Sequence, residues 1–415
     1  MANTKITADN LAANAVTTSS IADNSIGITQ LNVSDGTNGQ VLTTNGSGTL
    51  SFGDIPAGYT DSDVETYLDG GTSTPSFASI VVNGTIKLDG NYPTGTDNVA
   101  LGNTALDSIT SGNNNTAIGS TSLTANTTGV DNVAVGKDAL KATGAGTDGS
   151  YNVAVGVGSL EANTEGQFNV AMGRRALYQN TTADENTAVG YLSLYANTTG
   201  ATNTALGVSA LQSNTTASNN TAVGNRALTA NTTGTRNIAV GALALDALTT
   251  ENDNVAIGYA ALSTETTGFR NTAVGSSAGA TQNGGTNNAL FGYYAGANIT
   301  TGDANTFIGS DCGDANTTAS NNTAVGQNAM GANTTGSPNT ALGKDALDAN
   351  TTASHNTAIG YEALSSNETT NFNTALGSQA AKVAQSDSLV AIGAQALTHA
   401  TATLNCPSRS SKSSG

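Results

Sequence analysis

The chain has 415 residues, with 13 Lys+Arg against 30 Asp+Glu and a formal net charge of −17. Thr (66), Asn (49) and Gly (49) together supply 164 residues, Trp is absent and charged residues make up 10%, against about 25% in ordinary globular domains. The acidic balance opposes nucleic-acid binding, which needs clustered Lys and Arg, and no apolar run approaches the ~20 residues that cross a membrane as a helix.

Residues 1–35 carry Ile6, Leu11, Val16, Ile21, Ile26 and Leu31 at a spacing of five. That period is neither strand nor helix. The segment reads as a short ordered attachment module or as a flexible arm, with these six apolar positions as its candidate contacts. Met1–Ile6 shows no secretory h-region, so Sec export is not expected. Residues 36–97 set turn pairs, Asn38-Gly39 and Asn45-Gly46, between strand-like runs. They read as a small β-rich linker or collar.

From residue 98 a phrase recurs: Asn, any residue, Ala, an aliphatic, Gly. It begins as Asn98-Val99-Ala100-Leu101-Gly102 and Asn115-Thr116-Ala117-Ile118-Gly119. Aligning the closing glycines from Gly102 to Gly393 gives 18 copies. Fifteen intervals are 17 residues, one is 20 and one is 16. Ala-Leu follows three residues after most glycines, then a step such as Asn197-Thr198-Thr199. A period this strict predicts a stack of like units. Seventeen residues can hold two strands of about five residues and two turns, so 98–393 is expected to be an all-β, parallel β-solenoid of about 18 coils. The Asn-Thr-Thr-Gly turn is expected to supply positive φ from Asn or Gly.

Alternation puts Thr and the aliphatic on one face of the strand, and Asn, Ala and Gly on the other. Ala222 and Ala324 occupy a position held small, whereas Gln327 and Asn328 stand where the repeat varies. One Val and one Leu per coil is a thin core. A monomer therefore looks marginal, and packing of several copies through the small-residue face is expected. The last coil loses one residue and replaces Ala-Leu by Ala380-Ala381, as a cap would. Residues 394–415 read as a mobile tail.

No catalytic constellation is apparent, so an enzyme is not expected, and neither a cofactor nor a metal is called for. His355 and His399 are 44 residues apart, with no Cys or paired carboxylate nearby in sequence. Cys312 falls where other repeats carry Ala, and reads as a small buried residue. Cys406 cannot build a disulfide framework with it. The Asn-Thr-Thr sequons read as solenoid turns. Tyr191, Tyr259, Tyr293 and Tyr361 directly follow a repeat glycine, and Tyr294 comes next after Tyr293. They are candidate glycan contacts, weighed against simple cover for a neighbouring coil.

Asp131-Asn132-Val133-Ala134-Val135-Gly136, Phe168-Asn169-Val170-Ala171-Met172-Gly173 and Asp253-Asn254-Val255-Ala256-Ile257-Gly258 resemble the head repeats of YadA-like trimeric adhesins. Those repeats form trimeric left-handed β-rolls, which implies a homotrimeric fibre. Residues Thr37 to Phe52, Tyr59-Thr60-Asp61-Ser62-Asp63-Val64 and Val82-Asn83-Gly84-Thr85-Ile86-Lys87-Leu88 are similar to stretches in tail-fibre proteins of marine and cyanobacterial phages. That resemblance implies a structural virion protein made in the host cytoplasm. It would be joined to tail proteins through its N-terminus and would contact a host-surface glycan or protein, directly or through a separate tip protein. A bacterial trimeric surface adhesin is the alternative, and an ice-binding β-solenoid a second. The ice-binding reading usually wants two Thr per coil on one face, where this repeat offers one.

Overall fold

The computed structural model describes residues 40–44, 50–54, 96–143 and 149–400. The chain divides into two compact units, Met1–Ile86 and Lys87–Gly415. In the first, Gln40–Thr44 and Leu50–Asp54 pair antiparallel, with Leu42 opposite Phe52. The six apolar positions of residues 1–35 lie outside the described residues.

The second unit is a parallel β-solenoid, and no helix occurs among the described residues. Eighteen three-residue strands, from Val99–Leu101 to Val390–Ile392, pair in sequence order. Each strand middle meets its copy in the next coil: Ala222 pairs with Ala239, 17 residues on. The 20-residue interval keeps this register, Ala134 pairing with Ala154. The Asn132 amide reaches Gly149 where the Asn115 amide reaches Gly129, so the extra residues are absorbed between Thr143 and Gly149. At about 4.8 Å per strand step, the ladder is on the order of 80 Å long.

Each coil holds one short strand rather than two of five residues. The second half departs from the pleat because the Leu of Ala-Leu or Ser-Leu has positive φ, as in Leu123 (49°) and Leu177 (50°). The coils still bond there: the Leu123 N–H donates to Ala139 O and the Leu177 N–H to Ser193 O, both at 3.0 Å. Positive φ also falls two residues after each repeat glycine and on the residue before most repeat Asn residues, rather than on the Asn-Thr-Thr-Gly turn. The closing glycine is required twice over. Gly224 has φ 137°, and a Cβ there would stand 2.6 Å from the carbonyl carbon of Gly241 in the next coil.

The strand buries its middle residue and leaves the other two half-exposed. Ala222 and Ala324 are fully buried, as are the Ala-Leu pairs from Ala139-Leu140 to Ala363-Leu364. The small-residue face therefore lies inside each coil and is not free to pack other copies, contrary to the sequence expectation. Outward go the Thr-type position and the aliphatic.

A buried repeat Asn accompanies each Ala. The Asn115 N–H donates to Asn98 Oδ1 at 2.8 Å, and Asn115 Nδ2 donates to Gly129 O at 2.8 Å. This ladder runs coil by coil to Asn373, whose Oδ1 accepts from the Leu389 N–H. A second amide ladder links turns, as where Asn197 Nδ2 donates to Asn180 Oδ1 at 2.9 Å and to Gly200 O. Buried amides cost stability only when unpaired, and identical neighbours pair most of these, leaving Asn231 Oδ1, Asn316 Nδ2 and Asn350 Oδ1 without a partner. At the C-terminal end Ala380 and Ala381 are buried, and a short strand Val383–Ala384 pairs with His399–Ala400.

Candidate interaction surfaces

Three exposed features run along the stack. The first is the outward strand face. The residue before each closing glycine is aliphatic in every coil but two, where it is Met172 and Phe291. Leu101, Leu206, Leu342 and Leu376 are 46–47% exposed. Beside this column runs a second one, Thr in ten coils and mostly β-branched aliphatic in the others.

The second is the edge just after the strand, where the five candidate tyrosines sit. All five are exposed, from 41% at Tyr294 to 58% at Tyr259. Only Tyr293 and Tyr294 touch each other, their rings 4.4 Å apart and tilted by 59°. Tyr191, Tyr259, Tyr293 and Tyr361 are separated by four, two and four coils, roughly 20, 10 and 20 Å at ~4.8 Å per coil. They share an edge without forming one platform. Tyr361 is partly spoken for: its hydroxyl donates to Glu362 Oε1 at 2.7 Å, and Lys344 Nζ lies 5.8 Å from its ring centroid.

The same edge holds residues the sequence reading passed over. Tyr178 and Tyr195, 17 residues apart, stack with centroids 5.3 Å apart and planes within 8°. The guanidinium of Arg175 lies 5.2 Å from the Tyr178 centroid, and that of Arg174 lies 5.9 Å from the Tyr191 centroid. Their 17-residue spacing was the available signal.

The third feature is the edge before the strand. Tyr151 stacks on Phe168 at 4.9 Å, and His355 on Phe372 at 4.8 Å. Both distances equal the inter-strand spacing, so the coil repeat sets the stacking. His355 thus stands in a ring pair at positive φ, while His399 lies in the last short strand.

Cys312 is fully buried, its thiol 3.3 Å from Ala324 O, and burial pushes its pKa up to about 12. It is the small core residue its position implied. Among the described residues no group of three His, Cys, Asp or Glu side chains is placed to hold a metal ion, and no helix is long and apolar enough to cross a membrane. No protein-family model, no curated protein and no solved structure matches the chain significantly.

Proposed function

We propose that this chain is a structural fibre protein of a phage tail, acting as a shaft and host-surface adhesin. In this reading it trimerises through its outward strand face, joins tail proteins through residues 1–35, and resides in the virion tail after synthesis in the host cytoplasm. The observation that carries the reading is the aliphatic column along the coil stack, together with the resemblances in the repeat and the N-terminal segments. A contiguous exposed apolar line of this length is rare on a soluble monomer and marks an association surface. Burying the exposed half of each aliphatic contributes on the order of 1 kcal/mol per coil and chain, enough over the whole stack to hold copies together. A rod of this kind acts by length and display, and three chains would multiply a weak surface contact through avidity.

Light scattering at micromolar concentration is the direct test of assembly. The expected mass is three chains, and a stable folded monomer overturns the trimer. Electron microscopy of intact phage particles labelled at residue 1 tests location. The label is expected where the fibre meets the tail, and a label at the distal tip, or none on particles, removes the attachment role.

A further inference from the structure

We propose that the corner formed by Arg174, Arg175, Tyr178, Tyr191 and Tyr195 is a binding site for a carboxylate-bearing sugar unit of an acidic polysaccharide. The proposal deepens the adhesin reading by naming a ligand class and a place on the shaft, and rests on that reading only for where the ligand is met.

Cations are scarce here, and Arg174-Arg175 is the one adjacent pair in the chain. Lys137, Lys141, Arg226, Arg236, Lys344 and Lys382 each lie within 4 Å of a carboxylate. Arg174 and Arg175 have no ion-pair partner among the described residues and rest instead against tyrosine rings. Glu161 is the neighbouring carboxylate. Its Oε2 would be 3.0 Å from a Cβ on Gly158, beside the Arg175 stem and the Tyr178 ring. Asp184 and Glu185 belong to the turn at the other end of the strand. The corner is therefore locally cationic on an acidic chain, with both arginines exposed.

The geometry suits a sugar acid. The exposed Tyr191 supplies a flat apolar surface, and Tyr178 and Tyr195, half-buried and stacked on each other, stand beside it within two successive coils. A guanidinium over a ring keeps its planar N–H fork available to a carboxylate, which it binds bidentately. Gly158 stands one coil before Arg175, in the same position of the repeat, and the Glu161 carboxylate, the Tyr178 ring and the Arg175 stem close around the place its side chain would take. A nucleic acid fits less well: affinity for it grows with the number of phosphates neutralised, and two arginines on a chain of net charge −17 offer few.

The full chain is titrated with polygalacturonate, with neutral dextran and with single-stranded DNA, at 50 and 200 mM salt. Polygalacturonate is expected to bind, more weakly at the higher salt, and dextran to be ignored. R174Q/R175Q is expected to weaken polygalacturonate binding about tenfold or more, as loss of charge-assisted hydrogen bonds does, with unchanged Tm because both side chains are exposed. Y191A is expected to weaken it less. Equal binding by R174Q/R175Q, equal binding of dextran, tighter binding of DNA than of polygalacturonate, or no binding at 50 mM salt each overturns the proposal. Particle adsorption is scored separately. Particles that adsorb normally with R174Q/R175Q, while the purified chain still needs both arginines for polygalacturonate, count against the adhesin role and leave the ligand assignment standing.

Discussion

Phe307 and Gly313 share one volume. A Cβ on Gly313 would lie 2.5 Å from Phe307 Cε2. In most coils the strand middle is Ala and the inward residue of the next turn is Leu. Here the strand carries the large side chain and the turn carries none. Leu290 stands in the same relation to Gly279 and Gly296, where a Cβ would meet its methyl carbons at 2.8 and 2.9 Å. Size is traded between these two positions, and where Ala273 and Gly279 are both small, Leu290 of the next coil and Leu262 of the coil before fill the space, as close packing demands.

That exchange predicts strong coupling. Phe307→Ala should cost about 3–5 kcal/mol through the cavity it leaves, and Gly313→Leu about 1–3 kcal/mol or more through overpacking. The double variant F307A/G313L restores the common coil and should lie closer to the parent than either single change. Calorimetric Tm values for the three variants give the cycle, and simple additivity would refute the shared volume.

Asn203 tests the amide ladder. Its Oδ1 accepts from the Asn220 N–H at 3.0 Å, and its Nδ2 donates to Asn186 Oδ1 at 3.1 Å and Ala217 O at 2.8 Å. Asn203→Asp keeps the shape and removes both donations, so a cost of about 1–3 kcal/mol is expected. Asn225→Asp, in the variable turn after a repeat glycine, should be near neutral. Equal melting temperatures for the two variants would count against the ladder as a source of stability.

The repeat made the solenoid legible, because a fixed 17-residue return leaves parallel stacking as the way to pair each strand. Alternation also grouped Asn with Ala and Thr with the aliphatic. Which group faces inward was not legible. Burying Asn115 while half-exposing Leu101 runs against ordinary residue preference, and becomes favourable only because each Asn meets its own copy one coil away. The short strand was missed for a related reason. Positive φ at a Leu such as Leu177 is rare and has no signature in residue type. The Arg175–Tyr178 contact and the Tyr178–Tyr195 stack were not legible from the residues directly after each glycine. Tyr178 and Tyr195 sit four residues further on.

Glu265 interrupts the second amide ladder and sits fully buried. Its Oε1 accepts from the N–H groups of Thr267, Gly268 and Gly284 at 3.1, 2.5 and 2.9 Å, while Oε2 has no partner. In the coil that follows, Gln282 Nε2 donates to Gly285 O, three residues on. Glu265→Gln would place a donor toward the equivalent Gly268 O and keep the accepting oxygen. It should raise Tm and slow hydrogen exchange at the Gly268 and Gly284 amides. A lower Tm would show that the carboxylate is better accommodated than its orphaned oxygen suggests.

Acid should weaken the rod through two carboxylates and spare it at others. Lys137 and Thr121 hydrogen-bond Asp138 and hold its pKa at about 2. Lys382, Tyr361 and Gln379 do the same for Glu362, also at about 2. Both values lie below those of free carboxyls, 3.8 and 4.5, so their contribution is complete above about pH 5 and is lost as pH falls toward 2. Asp348 has the opposite sign. Burial, with Asp345 nearby, raises its pKa, so its ionisation opposes folding and the opposition appears as pH rises through the carboxylate range. A neutral amide in its place could still accept from Asn328 Nδ2, which now donates to Asp348 Oδ1 at 2.8 Å. Asp138→Asn should therefore lower Tm at pH 7 and by much less at pH 2, while Asp348→Asn should raise Tm at pH 7 and leave it unchanged at pH 2. Melting curves of both variants across pH 2–7 decide this, and same-sign shifts at pH 7 would show that the two carboxylates do not oppose each other.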